Sequence, residues 1–379
     1  MGLNVDADTR FMRRALELAE HGRGLTSPNP LVGAVVVSDG EIVGEGFHER
    51  AGGPHAEVVA LAAAGVRSRG ATLYVTLEPC SHHGRTPPCA SAVAAAGIRR
   101  VVAASIDPNP QVSGRGLAAL RAAGVEVTEA ILAEDAERQN RAFMAAMRLG
   151  RPHVTLKAAM SLDGRIADLH GESKWITGPA ARTEAHRLRS ESDAIVVGLG
   201  TVLRDDPALS VRRERPWPRE PYRVVLDTNA RTPTGARLIG AGTPARALVI
   251  TTEGARRDRV AALTAAGATV VRVAALDGQV DLRAALRALE EREVRAVLVE
   301  GGGEIHGAFL DAGVVDRVAM FVAPRLLGGR HATATIAGTG RPLERALRLT
   351  ALEVTKLGED LLLEADIVRG EAPTSPDGA

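Results

Sequence analysis

The sequence predicts a two-domain α/β protein, and three observations carry that expectation. At 379 residues the chain is longer than one ordinary hydrophobic core supports, so two domains are the natural division. Short apolar runs of strand character alternate with amphipathic helical stretches, the pattern of a largely parallel sheet layered between helices. The alternation restarts at Gly150, Arg151 and Pro152, where a helical pattern ends and a strand begins. The expected division is therefore 1–150 and 151–369, followed by a tail over 370–379 whose Pro, Gly, Ser and acidic content predicts disorder.

In chain order, Phe11, Met12, Ala15, Leu16 and Ala19 fall at helical spacing within 8–21, with Asp8 as the expected cap. The turn-rich TSPNP leads to a buried strand over 31–37, and Ser38, Asp39 and Gly40 turn it back into 42–47. A helix starts at His55 and ends near Gly65. A strand over 72–77 delivers Cys80 at its carboxyl end, and Pro87 and Pro88 open a helix with Cys89 in its first turn. A strand over 101–106, the loop DPNP, a helix over 117–123, a strand over 125–130 and a helix through Met147 complete the first domain.

The second domain begins with a strand over 153–160, then a helix over 179–190 and a strand over 194–198. Further strands are expected over 222–227, 247–251 and 296–300, with helices near 256–266, 282–292 and 305–312. A terminal hairpin pairs 347–357 with 361–367 around Gly358. No internal repeat is evident.

Composition narrows the function. A hydrophobic fraction of 45% with 25% charged residues marks an ordinary globular protein. A net charge of +1 provides no broad basic field for nucleic acid, and five Phe, two Trp and two Tyr provide few stacking platforms. No apolar run approaches the ~20 residues of a membrane span. The polar start MGLNVDADTR has no signal-peptide pattern, and two cysteines suit a reducing compartment, so a cytoplasmic location is expected. The expected partner is a small-molecule substrate, with neither nucleic acid nor membrane; assembly as a homo-oligomer stays open.

Both cysteines lie in the stretch 54–89, with His55, Glu57 and two Pro-Cys pairs. His55, Cys80 and Cys89 supply one imidazole and two thiolates, a three-ligand zinc site with a fourth position open for water. Glu57, two residues after the His, is placed to handle that water's proton. This is the H-x-E…P-C arrangement of zinc-dependent nucleobase deaminases, in which a non-ligand Glu moves protons. Here eight residues separate the cysteines, against two in the usual motif. The alternatives are a structural zinc closed by His82 or His83, or two buried cysteines without metal.

The stretches PNPLVGAVVV, GFHERAGGPHAE and LEPCSHHGRTPPC closely resemble the deaminase domain of the bifunctional RibD family of riboflavin biosynthesis. The long insert SHHGRTPP is characteristic of that family rather than of cytidine or tRNA deaminases. The resemblance implies a cytidine-deaminase-like three-layer α/β/α domain, zinc ligands His55, Cys80 and Cys89, and Glu57 as the proton shuttle. It further implies substrate contacts from Asn29, His48, His82, Arg85, Asp107 and Asn109. Asn29 and Asn109 are also ordinary turn residues beside proline.

In the second domain VLVEGGG is a buried strand running into glycines ahead of a helix, a turn that lets backbone N–H groups approach a phosphate. The glycine spacing is not that of a Rossmann fingerprint, and the turn alone serves equally as a tight connection. KAAMSLDGRIA, GESKWITG, GTVLRDDPAL and LVEGGG match the reductase domain of the same family, which implies a dihydrofolate-reductase-like α/β fold and NADPH. By that resemblance Ala159, Trp175, Thr201, Asp205, Gly302, Gly303, Glu304, Ile305, His306 and Gly307 contact NADPH. Ser173, Arg189, Leu209, Arg212 and Glu300 contact substrate, and Lys157 and Asp205 are candidates for assisting protonation. Arg189 is otherwise an ordinary surface charge on its helix, and Trp175 a packing residue.

The resemblance implies deamination of 2,5-diamino-6-(5-phosphoribosylamino)pyrimidin-4(3H)-one, then reduction of 5-amino-6-(5-phosphoribosylamino)uracil to its ribityl form. The competing expectations are a nucleic-acid base deaminase with a C-terminal binding module, and a zinc-stabilised binding protein without catalysis.

Overall fold

The computed structural model describes residues 5–81, 88–110, 112–241 and 246–369. Two compact units divide the chain, Met1–Arg151 and Pro152–Ala379. In the first, α1 (Val5–Glu20) precedes the strands β1 (Gly33–Ser38) and β2 (Glu41–Phe47). Then come α2 (Ala56–Ala64), β3 (Thr72–Leu77), α3 (Cys89–Ala95), β4 (Arg100–Ser105), α4 (Arg115–Ala122) and β5 (Glu126–Glu129). Two short helices, α5 (Ala133–Gln139) and α6 (Arg141–Leu149), end the unit.

The strands form one sheet in the order β2-β1-β3-β4-β5. Its polarity corrects the expectation of a largely parallel sheet: β3, β4 and β5 run parallel, but β1 pairs antiparallel with both β2 and β3. The cause is the tight turn at Asp39 and Gly40, both at positive φ, which joins β1 to β2 as a hairpin with no room for a crossover helix. Strand residues alternate between faces. Val36, Leu73, Val75, Val101 and Ala103 pack under α2, α3 and α4, while Val35, Val37, Tyr74, Val102 and Ala104 pack under α1 and α5. The unit thus has three layers.

Asp8 does not cap α1, because the helix already begins at Val5. Its buried carboxylate accepts from the Tyr74 hydroxyl at 2.7 Å and from both terminal nitrogens of Arg100, at 3.0 and 2.8 Å. Burial alone would raise its pKa, but those donors outweigh it and hold the group below the usual carboxylate range.

The second unit runs β6 (His153–Ser161), α7 (Pro179–Glu191), β7 (Ala194–Gly198), α8 (Leu199–Asp205), β8 (Tyr222–Leu226), α9 (Arg237–Gly240) and β9 (Ala247–Thr252). It continues with α10 (Arg257–Ala265), β10 (Thr269–Val273), the small pair β11 (Ala275–Leu276) and β12 (Gln279–Val280), then α11 (Leu282–Glu290) and β13 (Ala296–Val299). The last elements are α12 (Gly303–Asp311), β14 (Arg317–Ala323), β15 (Glu353–Leu357) and β16 (Asp360–Asp366). The main sheet has the order β10-β9-β8-β7-β13-β6-β14-β16-β15. It is parallel from β10 to β14 and antiparallel at β16 and β15. One face packs on α11 and α12; the other packs on α8, α9 and α10, with α7 over β14 and β16.

Several elements depart from expectation. β10 and β14 were not anticipated, and β14 lies inside the sheet between β6 and β16. The segment GTVLRDD, for which no helix was expected, supplies most of α8 and its C-cap Asp206. The first arm of the terminal hairpin is shorter than expected, starting at Glu353 rather than at 347. The tail 370–379 lies outside the described residues.

Candidate active sites

In the first unit the site is built on α2. Gly44 and Gly46 of β2 lie directly beneath it: a Cβ at Gly46 would stand 2.5 Å from the Ala56 carbonyl oxygen, and one at Gly44 would stand 2.2 Å from that of Ala60. Absent side chains on β2 therefore let the helix backbone settle onto the sheet. His55 is the N-cap of this helix, and Glu57, in its first turn, is buried. β3 leads through Glu78 and Pro79 to Cys80, and Cys89 opens α3 with Pro88 as its N-cap. His55 Nδ1 lies 3.0 Å from Cys89 Sγ and 3.7 Å from Cys80 Sγ. The three ligand atoms all lie within 4.8 Å of one another.

That donor set fits zinc. Ligand atoms on a tetrahedral zinc stand roughly 3.5 Å apart, and an imidazole with two thiolates is a common set. The hydrogen bond from Cys89, with help from His55, holds the Cys80 thiol down to about 4. The same pairing and its burial push Cys89 up, a conflict between two sulfurs that a shared divalent cation resolves. Burial raises the pKa of Glu57.

His48 is buried with its ring edge-on to His55, centroids 5.6 Å apart. Its Nδ1 faces the Pro54 carbonyl at 2.9 Å, which can only accept, so Nδ1 carries the proton and Nε2 accepts from the Asn29 amide at 3.1 Å. Burial lowers its pKa, in keeping with a neutral ring. Asn29 and His48 are thus brought together. Asp107 and Asn109 form a turn in which the Asp107 carboxylate accepts from the Asn109 N–H at 2.8 Å. His82 and Arg85 lie outside the described residues, as does His83.

Two residues that matter here were not anticipated. Glu78 is buried, and its carboxylate accepts from the backbone N–H groups of Asp107, Gly114, Gly116 and Leu117 at 2.8–3.3 Å. It ties the start of α4 and the Asp107 turn to the segment that carries Cys80. Asn140 grips Leu31 through both its amide atoms, at 2.7 and 2.8 Å, and so anchors the loop bearing Asn29. The signal for Glu78 was its place immediately before Pro79 and Cys80; Asn140 had none.

The second unit holds a cavity of about 960 Å³ over the β6, β7 and β13 region of the sheet. Its lining includes Lys157, Ala159, Ser173, Trp175, Arg189, Thr201, Asp205, Leu209, Arg212 and Glu300, and Gly302 through Ile305 of the glycine turn. Thr201 and Asp205, four residues apart on α8, share one helix face. A Cβ at Gly301 would approach Thr201 Oγ1 to 3.1 Å, and one at Gly303 would meet the Ala334 carbonyl at 2.5 Å. The glycines therefore let the turn at the start of α12 close against Thr201 and the Ala334 carbonyl. His306 and Gly307 are not among the lining residues. They lie one turn further along α12, where His306 Nδ1 contacts the Thr335 carbonyl at 2.8 Å and Gly307 abuts Ala337.

Arg189 binds Glu300 through two parallel contacts of 2.8 Å and donates to the Ser210 carbonyl at 3.0 Å. Burial would raise the pKa of Glu300, but Arg189 and Lys157 override it, holding the group down to about 2. Lys157 Nζ stands 5.4 Å over the Phe321 ring, and burial lowers its pKa. Trp175 is exposed, with the Arg182 guanidinium 4.6 Å above its ring. Asp360, not singled out from sequence, receives the Gly178 N–H at 2.7 Å and so seats the start of α7. His186 on α7 accepts the Arg212 N–H at 3.2 Å.

A family model of the RibD C-terminal domain matches residues 152–363, and one of the cytidine and deoxycytidylate deaminase zinc-binding region matches residues 5–105. Riboflavin biosynthesis protein RibD of Aquifex aeolicus is 44% identical over 359 residues, covering 94% of this chain and 98% of its own. The Escherichia coli K12 protein of that name is 43% identical over 368 residues, with coverages of 94% and 98%. The chain belongs to the RibD family. RibD from Acinetobacter baumannii superposes with a TM-score of 0.86 at 39% identity, covering 97% of this chain and all of its own. A Thermotoga maritima structure, named a diaminohydroxyphosphoribosylaminopyrimidine deaminase/5-amino-6-(5-phosphoribosylamino)uracil reductase, follows at 0.82 and 38%, with coverages of 96% and 99%.

As a RibD family member the chain is a bifunctional enzyme of riboflavin biosynthesis, a hydrolase joined to an oxidoreductase. Its first unit is a zinc-binding deaminase domain of cytidine-deaminase type. Its second is a dihydrofolate-reductase-like reductase domain that takes a nicotinamide cofactor. The second unit is therefore not the mere binding module of the alternative reading. Among the described residues no helix is long and apolar enough to cross a membrane.

Proposed function

We propose that the first unit hydrolytically deaminates 2,5-diamino-6-(5-phosphoribosylamino)pyrimidin-4(3H)-one and that the second reduces the product, 5-amino-6-(5-phosphoribosylamino)uracil, with NADPH. The observation that carries the first half is the His55, Cys80 and Cys89 cluster with Glu57 buried beside it. Zinc bound there supplies water acidified to near-neutral pKa. Glu57 takes a proton from the attacking water and delivers protons to the ring nitrogen and the departing amine, which leaves as ammonia. His48 and Asn29 hold a fixed tautomer and present an oriented polar pair to the substrate.

In the reductase, Arg189, fixed by its paired contacts with Glu300, would orient the sugar phosphate end, and a nicotinamide cofactor held at the glycine turn would supply hydride for the sugar C1, giving the ribityl chain. Lys157, with its pKa lowered by burial, and Asp205 are placed to supply the proton for ring opening. The chain works in the cytoplasm on this small molecule. It assembles with further copies of itself, a reading supported by the exposed side chains of Leu343, Leu347, Leu349, Leu352 and Val354 beside the sheet edge.

A two-step assay that follows ammonia release and NADPH oxidation separately tests the proposal. Glu57→Gln keeps zinc and loses ammonia release by roughly 10²- to 10⁴-fold, while pre-deaminated substrate is still reduced. Ammonia release at the wild-type rate would remove Glu57 from its role.

A further inference from the structure

Five arginines line the reductase cavity: Arg182, Arg189, Arg204, Arg212 and Arg237. Two are engaged, Arg189 with Glu300 and the Ser210 carbonyl, and Arg182 with the Thr177 carbonyl and the Trp175 ring. The guanidiniums of Arg204, Arg212 and Arg237 have no hydrogen-bonded or ion-paired partner among the described residues. Three unengaged guanidiniums facing one cavity call for anionic ligands.

Topology separates them. Arg212 is tied to α7 through His186, on the Arg189 and Glu300 side. Arg204 stands in the last turn of α8, which follows β7, and Arg237 opens α9, which lies beyond β8. Asp206, just after α8, accepts the Arg237 backbone N–H at 2.8 Å and fastens these two segments together. In the sheet β7 lies between β13 and β8. A dinucleotide whose pyrophosphate meets the glycine turn after β13 therefore reaches the β8 side within two strand spacings, ~10 Å, the span of a ribose with its phosphates.

We propose that Arg204 and Arg237 form a clamp for the 2′-phosphate of the cofactor's adenosine ribose and so select NADPH over NADH. This rests on the reading of the second unit as a nicotinamide-dependent reductase. Paired guanidiniums match the geometry of a phosphate dianion, and an Arg beside the ribose is how the unrelated Rossmann sheets accommodate phosphorylated dinucleotides. Both side chains are exposed, so their replacement leaves the core untouched.

The test is isothermal titration of the full chain with 2′,5′-ADP and with 5′-ADP. The wild type binds the 2′-phosphorylated nucleotide at least about tenfold more tightly, the scale of one charge-assisted contact. The Arg204→Gln/Arg237→Gln double variant loses that margin with its 5′-ADP affinity unchanged, and Arg212→Gln keeps it. In turnover, the double variant's KM rises for NADPH and not for NADH. A margin that survives in the double variant, that vanishes in Arg212→Gln, or a loss shared equally by both nucleotides overturns the clamp. Oxidation of neither dinucleotide with deaminated substrate would instead overturn the reductase reading. Equal wild-type affinity for the two nucleotides, with NADPH oxidation intact, would remove the clamp alone.

Discussion

His186 on α7 faces Arg189 and Arg212, with Lys157 and Glu300 also within electrostatic reach, and it titrates down to about 4 because of burial first and those cations second. An unfolded His takes its proton near 6.5, so between these values the unfolded chain binds more protons than the folded one, and stability falls as pH falls through that window. The ring is only half-buried and water screens part of the effect, so the expected loss from this residue is on the order of 1 kcal/mol between pH 7 and pH 5. Urea unfolding of His186→Gln, which keeps an acceptor for the Arg212 N–H, checks it: the variant should show a flatter pH dependence than the wild type over that window. At this scale the sequence was legible where the chemistry demands rare residue types, as with His55, Cys80, Cys89 and Glu57. Glu78 and Asn140 were not, because what they hold is backbone, 29 to 39 residues away for Glu78 and 109 for Asn140. Arg189 was expected at the substrate by resemblance alone, since from its own helix it reads equally as surface charge; its partner Glu300 lies 111 residues away.

Secondary-structure elements set where these side chains point, and the contact of α2 with β2 is the one on which the deaminase site hangs. Gly46→Ala would place a methyl against the Ala56 carbonyl and the Ala60 nitrogen, both 2.5 Å away, and neither backbone atom can move without the helix. The expected result is a destabilisation of about 1–3 kcal/mol, lower zinc content and slower ammonia release, with reduction of pre-deaminated substrate retained. Metal analysis beside the two-step assay reads all of these. The helix itself was legible from its His55 start and Gly65 stop. β14 was missed because VAMFVA is apolar throughout, and a run without periodicity says little about strand or helix. α8 was missed because seven residues with a Gly and a β-branched Thr and Val have weak helical preference; packing of Val202 into the core holds it.

Across the whole molecule, each unit carries its own sheet and cores on both sheet faces. That is why a sequence read as two alternating blocks predicted the fold class and the β1–β2 hairpin, while strand order and the antiparallel pairing of β1 with β3 could emerge only from contact between distant strands. Both cysteines belong to the first unit, so the second has no thiol to hold reducing equivalents between two half-reactions. Its cavity of about 960 Å³ stands at the upper end of the range for ligand sites, with the glycine turn and the Arg189–Glu300 pair in one lining. Under the proposed function, cofactor and sugar share this cavity and hydride would cross directly from one to the other. Steady-state rates measured at several fixed NADPH concentrations should give double-reciprocal lines that intersect; parallel lines, the mark of a substituted-enzyme cycle, would mean that the two ligands take turns.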